Sequence, residues 1–416
     1  MPADWGKMEG VNHPSYRYIA QLVRHQEAWR DDTPLTFPAE RADLYFLSVE
    51  SRHASCLLGH SGYRCEEHAM SFGPEPTEDT PSDAAIMENL RFRYPLLRRS
   101  GEAGRVRQLV LFFHGLNERS YTKYVPWAYQ LWRSTGAAIA LFPLAFHINR
   151  VFPRWGQQVT ACLRERQAIA GNENVHPFNA VMSKRLGSRP ERFFWGGLQT
   201  YREVVDLVRL VRTGRHPHVD PSARIDLVGY SAGGYLVLGL LLVDEEELFA
   251  DSRGVIFESG AALRDTNLSS RLIVDLSAET SLMKLFIRHT DRYANPRLQH
   301  FLYEHREGQW FRALCGAPSE RARLEARLRA LAPRLLGVSN LNDQVIPAGG
   351  MLNLLQGIHR DTGVRVEEFD LGVHESPFSC PDYGERDRRF VTHFLDLDRY
   401  GSSFEHFIAL ASAMLS

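Results

Sequence analysis

Ile225-Asp226-Leu227-Val228-Gly229-Tyr230-Ser231-Ala232-Gly233-Gly234-Tyr235 reads as a strand that turns at once into a helix. An apolar run ends in Gly-x-Ser-x-Gly, and a second apolar stretch, Tyr235 to Val243, follows without a break. A serine at the tip of such a turn holds its hydroxyl clear of the backbone. Gly229 and Gly233, two before and two after it, let strand and helix pass close together. The free N–H groups of the first helical turn point at any anion formed beside the serine. Five residues with three fixed recur by chance, and a serine in a small-residue turn also serves as a plain helix cap. The strand before and the helix after give the motif its weight.

Outward from this turn the same rhythm repeats. Leu90-Arg91-Phe92-Arg93-Tyr94 alternates like a half-exposed strand, and Gln108-Leu109-Val110-Leu111-Phe112-Phe113 is continuously apolar, as a buried parallel strand is. The pattern predicts helices over 121–135, 201–212, 232–243 and 348–359. Strands are expected at 137–144, 225–229, 254–258, 335–338 and 364–369. Residues between about 146 and 198 read as irregular, and 261–332 as mostly helical, with the charged stretch 320–329 an exposed helix. Strands alternating with helices predict an α/β fold, a mostly parallel sheet with helices on both faces. Reactive groups in such sheets lie at the carboxyl ends of the strands.

A serine hydroxyl is a poor nucleophile at neutral pH and needs a base, which in turn needs an orienting acid. Two strand ends downstream of Ser231 supply the types. Leu335–Val338 runs into Ser339-Asn340-Leu341-Asn342-Asp343-Gln344-Val345-Ile346-Pro347, and the strand ending at Phe369 runs into Asp370-Leu371-Gly372-Val373-His374. Asp343 and His374 are the candidate acid and base. Glu258, ending the strand after the serine turn, is the alternative acid. The loop after Leu109–Phe113 reads His114-Gly115-Leu116-Asn117. It is placed to offer the Leu116 N–H, with that of Ala232, to a developing oxyanion.

The order Ser231, Asp343, His374, the Gly-Tyr-Ser-Ala-Gly turn and the His114-Gly115 loop together resemble the α/β-hydrolase superfamily, in a less characterised bacterial branch. The resemblance spans roughly residues 88–400. It implies a serine hydrolase acting on a carboxylic ester through an acyl-enzyme: Ser231 as nucleophile, His374 as base, Asp343 as acid, Leu116 and Ala232 as the oxyanion hole. His114, Gly115, Asn117, Gly229, Tyr230 and Gly233 would support them. The same triad serves amidases, peptidases, thioesterases and acyltransferases, and a non-catalytic binding member of the fold is the alternative from another class. The chain departs from the family in a long N-terminal extension, 1–87, expected to pack on the core of 88–416. It departs also in two insertions, 146–198 and 261–332, of the kind that form a cap. Aromatic residues of the first insertion would line an acyl or alcohol pocket. His147, Arg150 and Arg154 are candidates for a substrate carboxylate or phosphate.

Bulk properties narrow the partners. The chain has 416 residues with a formal net charge of -1, 44% hydrophobic and 24% charged. That balance favours a small-molecule substrate and no nucleic-acid partner. Only Lys7, Lys123, Lys184 and Lys284 among the basic residues are lysines. The five cysteines (Cys56, Cys65, Cys162, Cys315, Cys380) are scattered, without C-x-x-C, and His13, His114 and His147 lack a spacing such as H-E-x-x-H. Neither a disulfide framework, a metal site nor an organic cofactor is expected. No secretory leader and no integral membrane segment is legible, which makes the cytoplasm the default.

Overall fold

The computed structural model describes residues 34–37, 41–59, 62–75, 79–101, 104–288, 295–383 and 391–416. The helix expected around Tyr16 to Ala28 lies outside them. Among the described residues the central sheet has nine strands. In chain order these are β1 (Leu35–Phe37), β2 (Ala42–Glu50), β3 (Arg91–Arg99), β4 (Val106–Phe113), β5 (Ala138–Phe142), β6 (Val219–Tyr230), β7 (Gly254–Phe257), β8 (Leu335–Asn340) and β9 (Arg365–Phe369). Their spatial order is β1-β2-β3-β5-β4-β6-β7-β8-β9. The β1, β2 and β3 strands run antiparallel at one edge, and β3 meets β5 antiparallel. From β5 to β9 every pairing is parallel. The fold is therefore the α/β, mostly parallel sheet of the α/β-hydrolase type.

Alternation in β4 shows why the sheet is covered on both sides. Leu109, Leu111 and Phe113 enter one core with Val204, Val237 and Leu354. Val110 and Phe112 enter the other, with Trp127 and Phe407. Successive side chains of a strand point to opposite faces, so a continuously apolar strand demands two cores. The first face is closed by α4 (Arg192–Arg212), α5 (Ala232–Val243), α8 (Arg306–Cys315), α9 (Arg321–Leu331) and α10 (Ala348–Leu355). The second is closed by α1 (Val125–Thr135) and α11 (Leu397–Leu415).

Several elements differ from the pattern read in sequence. The region 146–198 is not irregular: it holds α2 (Trp155–Gln167), α3 (Ala180–Ser188) and the first turns of α4. Gly196-Gly197 lies inside α4, where two glycines argue against a helix. Burial of Phe194, Trp195 and Leu198 on one side overrides that preference. The α9 helix is charged but not simply exposed, since Leu324, Leu328 and Leu331 bury a stripe spaced by three and four residues. The sequence after Arg386 reads as helix-like, but Val391–Leu395 is a strand paired with Ser379–Tyr383, and the helix α11 begins only at Leu397.

Candidate functional site

Ser231 sits where β6 becomes α5, with φ 53° and ψ -119°. That left-handed region costs a non-glycine residue about 1–3 kcal/mol. Its neighbours hold it there. The Ser231 N–H donates to Phe257 O at 3.0 Å. A β-carbon on Gly229 would stand 2.3 Å from Gly233 O, and one on Gly233 would stand 2.3 Å from Phe113 O. Neither space admits a methyl group, so the turn depends on both glycines. The hydroxyl does not cap α5; Ser231 Oγ lies 2.8 Å from His374 Nε2.

His374 Nδ1 lies 2.7 Å from Asp343 Oδ2. The other Asp343 oxygen accepts the N–H groups of Val345 and Ile346, both at 2.8 Å. These bonds leave the carboxylate one orientation, with Oδ2 facing the imidazole. Serine, imidazole and carboxylate are all buried, and all three stand at or just beyond the carboxyl ends of β6, β8 and β9. The His374 ring stacks on Tyr230, whose hydroxyl donates to His374 O. Lys123, one of the four lysines, is buried beside Glu118, donates to Glu375 O at 3.1 Å and lies 4.6 Å above the Tyr230 ring. It braces the histidine loop, and sequence reading did not single it out.

Glu258 also reaches this histidine, with Oε2 3.4 Å from His374 Nδ1. Its Oε1 accepts from Asn340 Nδ2 at 2.9 Å. Complete burial, then the adjacent Asp343, hold its carboxyl well above the usual carboxylate range. Two carboxylates in one dry space do not both ionise readily. Asp343, with the shorter contact and the two N–H donors, is the better placed of the two to orient the imidazole.

The His114–Asn117 loop lies against the serine: a β-carbon on Gly115 would stand 3.4 Å from Ser231 Cβ. His114 accepts the Leu144 N–H on Nε2 at 3.0 Å, so its proton is on Nδ1, facing Gly115 O at 2.8 Å. Burial drives its pKa well below the ordinary imidazole value, and it remains a neutral clamp between β4 and the chain after β5. The Gly115 N–H donates to Tyr124 Oη at 3.2 Å. Neither the Leu116 nor the Ala232 N–H has a protein acceptor among the described residues.

Asn117 Nδ2 donates to Leu272 O at 2.7 Å and to Phe178 O at 3.2 Å. Phe178 belongs to the first long insertion and Leu272 to the second. Arg119 also donates to Phe178 O and lies over its ring. Asn179 Nδ2 bonds Ser270 O at 2.8 Å, joining the two insertions, and Arg166 on α2 grips Asp275 at 2.6 and 2.7 Å just before α6 (Leu276–Met283). Under this roof the space around Ser231, Leu116, Phe178, Leu272 and His374 is about 20 Å³. That is room for about one water. On the other side of Leu116 and Ala232 lies a cavity of about 180 Å³, walled by Phe146, Met182, Leu186, Phe194, Leu236, Gly239 and Phe311 among others.

The arginines proposed for an anionic substrate group are placed otherwise. Arg150 is wholly buried and spends every guanidinium N–H inside the protein: on both oxygens of Glu203 at 2.7 and 2.8 Å, on Asn89 twice and on Pro143 O. It is a structural ion pair with no donor left for a ligand. Arg154 is exposed on the rim of α2. His147 is buried on the cavity wall, and burial lowers its pKa to about 4, so it offers no cation near neutral pH. The fold also gathers Cys65, His68, His300 and His305 far from the serine in sequence. The spacings Cys65-x-x-His68 and His300-x4-His305 were their only sequence signal.

No curated protein matches the chain. Solved structures with a similar course of the backbone include carboxyl esterase 2 from the mycorrhizal fungus Tuber melanosporum. It is 14% identical, with a TM-score of 0.41 over 79% of this chain and 82% of that one. An esterase of Pyrobaculum calidifontis is 10% identical, with a TM-score of 0.45 over 96% and 90%. A bacterial heroin esterase is 16% identical, with a TM-score of 0.43 over 96% and 89%. Likeness of that degree carries nothing about activity or substrate. A family model, by contrast, spans nearly the whole chain: residues 17–406 match DUF6051, a family of unknown function, and this protein belongs to it.

Proposed function

We propose that this protein is a serine hydrolase that cleaves a carboxylic ester bearing an apolar group. The observation that carries the reading is the unbroken relay from Ser231 Oγ to His374 Nε2 at 2.8 Å and from His374 Nδ1 to Asp343 Oδ2 at 2.7 Å. Ser231 Oγ attacks the ester carbonyl while His374 Nε2 takes its proton. Asp343 keeps the imidazole in the tautomer that can accept there, and stabilises the imidazolium that results. The Leu116 and Ala232 N–H groups receive the oxyanion. Return of the proton to the alkoxide releases the alcohol, and a water activated by the same imidazole frees the acid. The apolar cavity beyond Leu116 and Ala232 takes the acyl or alcohol chain.

The test is hydrolysis of p-nitrophenyl esters of increasing chain length by the wild type and by Ser231→Ala. Turnover in the wild type, lost in the variant, is the expected result. Equal turnover by both removes Ser231 from the chemistry. A wild type that neither hydrolyses these esters nor reacts with a fluorophosphonate overturns the assignment in favour of a binding protein.

A further inference from the structure

Away from the serine, four side chains converge at the junction of an N-terminal hairpin and a helical corner. Tyr63–Cys65 pairs with Met70–Phe72 in a two-stranded hairpin, and the turn between them carries His68. The helix α7 (Pro296–Glu304) presents His300, and His305 follows it directly, before α8. Cys65 Sγ lies 3.3 Å from His68 Nδ1 and 3.4 Å from His305 Nε2. His305 Nε2 lies 3.3 Å from His300 Nε2. All four donor atoms fall within 4.8 Å of one another. Cys65, His300 and His305 are buried, and His68 is partly so.

Three of these spacings, at 3.3–3.4 Å, are those of a metal cage, and the remaining donor pairs lie within 4.8 Å. Sulfur at about 2.3 Å and nitrogen at about 2.0–2.1 Å from a tetrahedral zinc ion stand about 3.3–3.6 Å from each other. We propose that Cys65, His68, His300 and His305 bind one zinc ion as a closed structural site. One thiolate and three neutral imidazoles are a donor set that suits zinc, and four protein ligands leave no open position for catalysis. Binding breaks the Cys65 S–H bond and forms a zinc–sulfur bond, releasing one proton to solvent. The lone pair of His305 Nε2 points inward, with Glu67 Oε2 3.3 Å from the ring's other nitrogen. That is the usual outer partner of a zinc-bound histidine, which fixes the ring and its tautomer.

The fold supplies a reason for such a clamp. A hairpin of two three-residue strands is marginal by itself. Here it packs against α7, with Tyr63 5.1 Å from Phe301, which in turn meets Trp195 of α4 at 5.1 Å. The helix beyond His305 contributes Glu307, Phe311 and Leu314 to the wall of the large cavity. A metal at this corner ties residues 63–72 to that wall.

Full-length protein, purified without added metal or affinity histidines, is assayed by mass spectrometry for zinc, then stripped with a strong chelator and titrated with cobalt(II). About one zinc per chain is expected. The stripped protein should melt at a lower temperature, restored by zinc and not by magnesium. Cobalt should give the intense visible bands of a tetrahedral ion, with a thiolate charge-transfer band that Cys65→Ser removes. Glu67→Gln, which keeps all four ligands, should weaken zinc by about tenfold. A wild type that carries no zinc, gives no charge-transfer band with cobalt and melts identically with zinc and with chelator overturns the site. Because those readouts come from the wild type, a Cys65→Ser chain that fails to fold does not obscure the result.

Discussion

At the residue scale, two buried carboxyls face His374. Both types were legible, since Asp343 and Glu258 each end a strand beside the serine turn. The sequence ranks Asp343 first and Glu258 as the alternative, but the physical ground for a ranking lies in who donates to whom. Asp343 has two backbone N–H donors behind it and a 2.7 Å contact, whereas Glu258 has one amide donor and a 3.4 Å contact. Asp343→Asn should lower kcat by on the order of 10⁴, as loss of the orienting acid does. Glu258→Gln, which keeps the size of the side chain and an oxygen for Asn340, should cost less than about tenfold. Steady-state kinetics on a reactive ester read both, and the reverse ranking would move the acid to Glu258. Ser231, His374 and the His-Gly loop were legible for a simpler reason. Each proposed role demands one residue type at one strand end, and a glycine beside it where backbones touch.

At the scale of elements, periodicity located β4, α5, β8 and the carboxyl half of β6 closely because each is apolar and bounded by a turn, while the polar start of β6 at residues 219–224 carries no such signal. It failed over 146–198. The helices α2 and α3 have short buried faces and carry arginines on them, such as Arg166 and Arg185, whose burial is satisfied by Asp275 and Asp83 contributed from distant segments. No local window contains that pairing. The α5 helix was placed residue for residue, and it offers a clean probe of the large cavity. Gly239 faces that cavity, and a β-carbon there meets nothing within 4 Å. Gly239→Leu should therefore fold, gaining up to about 1 kcal/mol of helix propensity, while filling the space. Turnover of short-chain esters should persist and that of long-chain esters fall by tenfold or more. An unchanged chain-length profile would mean the apolar group lies elsewhere.

Across the whole molecule, buried imidazoles set how stability responds to acid. Burial brings His147 and His216 to about 4 and holds His114 well below an ordinary imidazole. Unfolded, each returns to about 6.5. The unfolded chain thus binds more protons than the fold between about pH 6.5 and 4, and stability falls as pH drops through that window. Above pH 6.5 the contribution is complete. Glu258 and Glu279, held above the usual carboxylate range, act in the opposite sense, whereas the lowered His218, His300, His305, Asp206 and Asp275 act with the three imidazoles, so the net expectation is a loss of stability toward acid. Denaturant midpoints measured from pH 7 to 4.5 check this; a flat profile would place water beside these rings. Among the described residues no helix is long and apolar enough to cross a membrane. The Asn117 bonds have a larger consequence. The same amide that fastens both insertions over the serine also steadies the loop bearing the Leu116 N–H. If a substrate reaches Ser231 by loosening the Asn117 bonds, the loop that carries the Leu116 N–H loosens with them. Admission and readiness would then exclude each other, as the two doors of an airlock do. Removing the bolt with Asn117→Gly, which suits the positive φ of 62° at that position, should lower kcat by tenfold or more without raising KM. An unchanged kcat would show that the doors are not linked. If they are, the protein chooses its ester at the moment of closing, and a small molecule that slips in without drawing the roof shut leaves unhydrolysed.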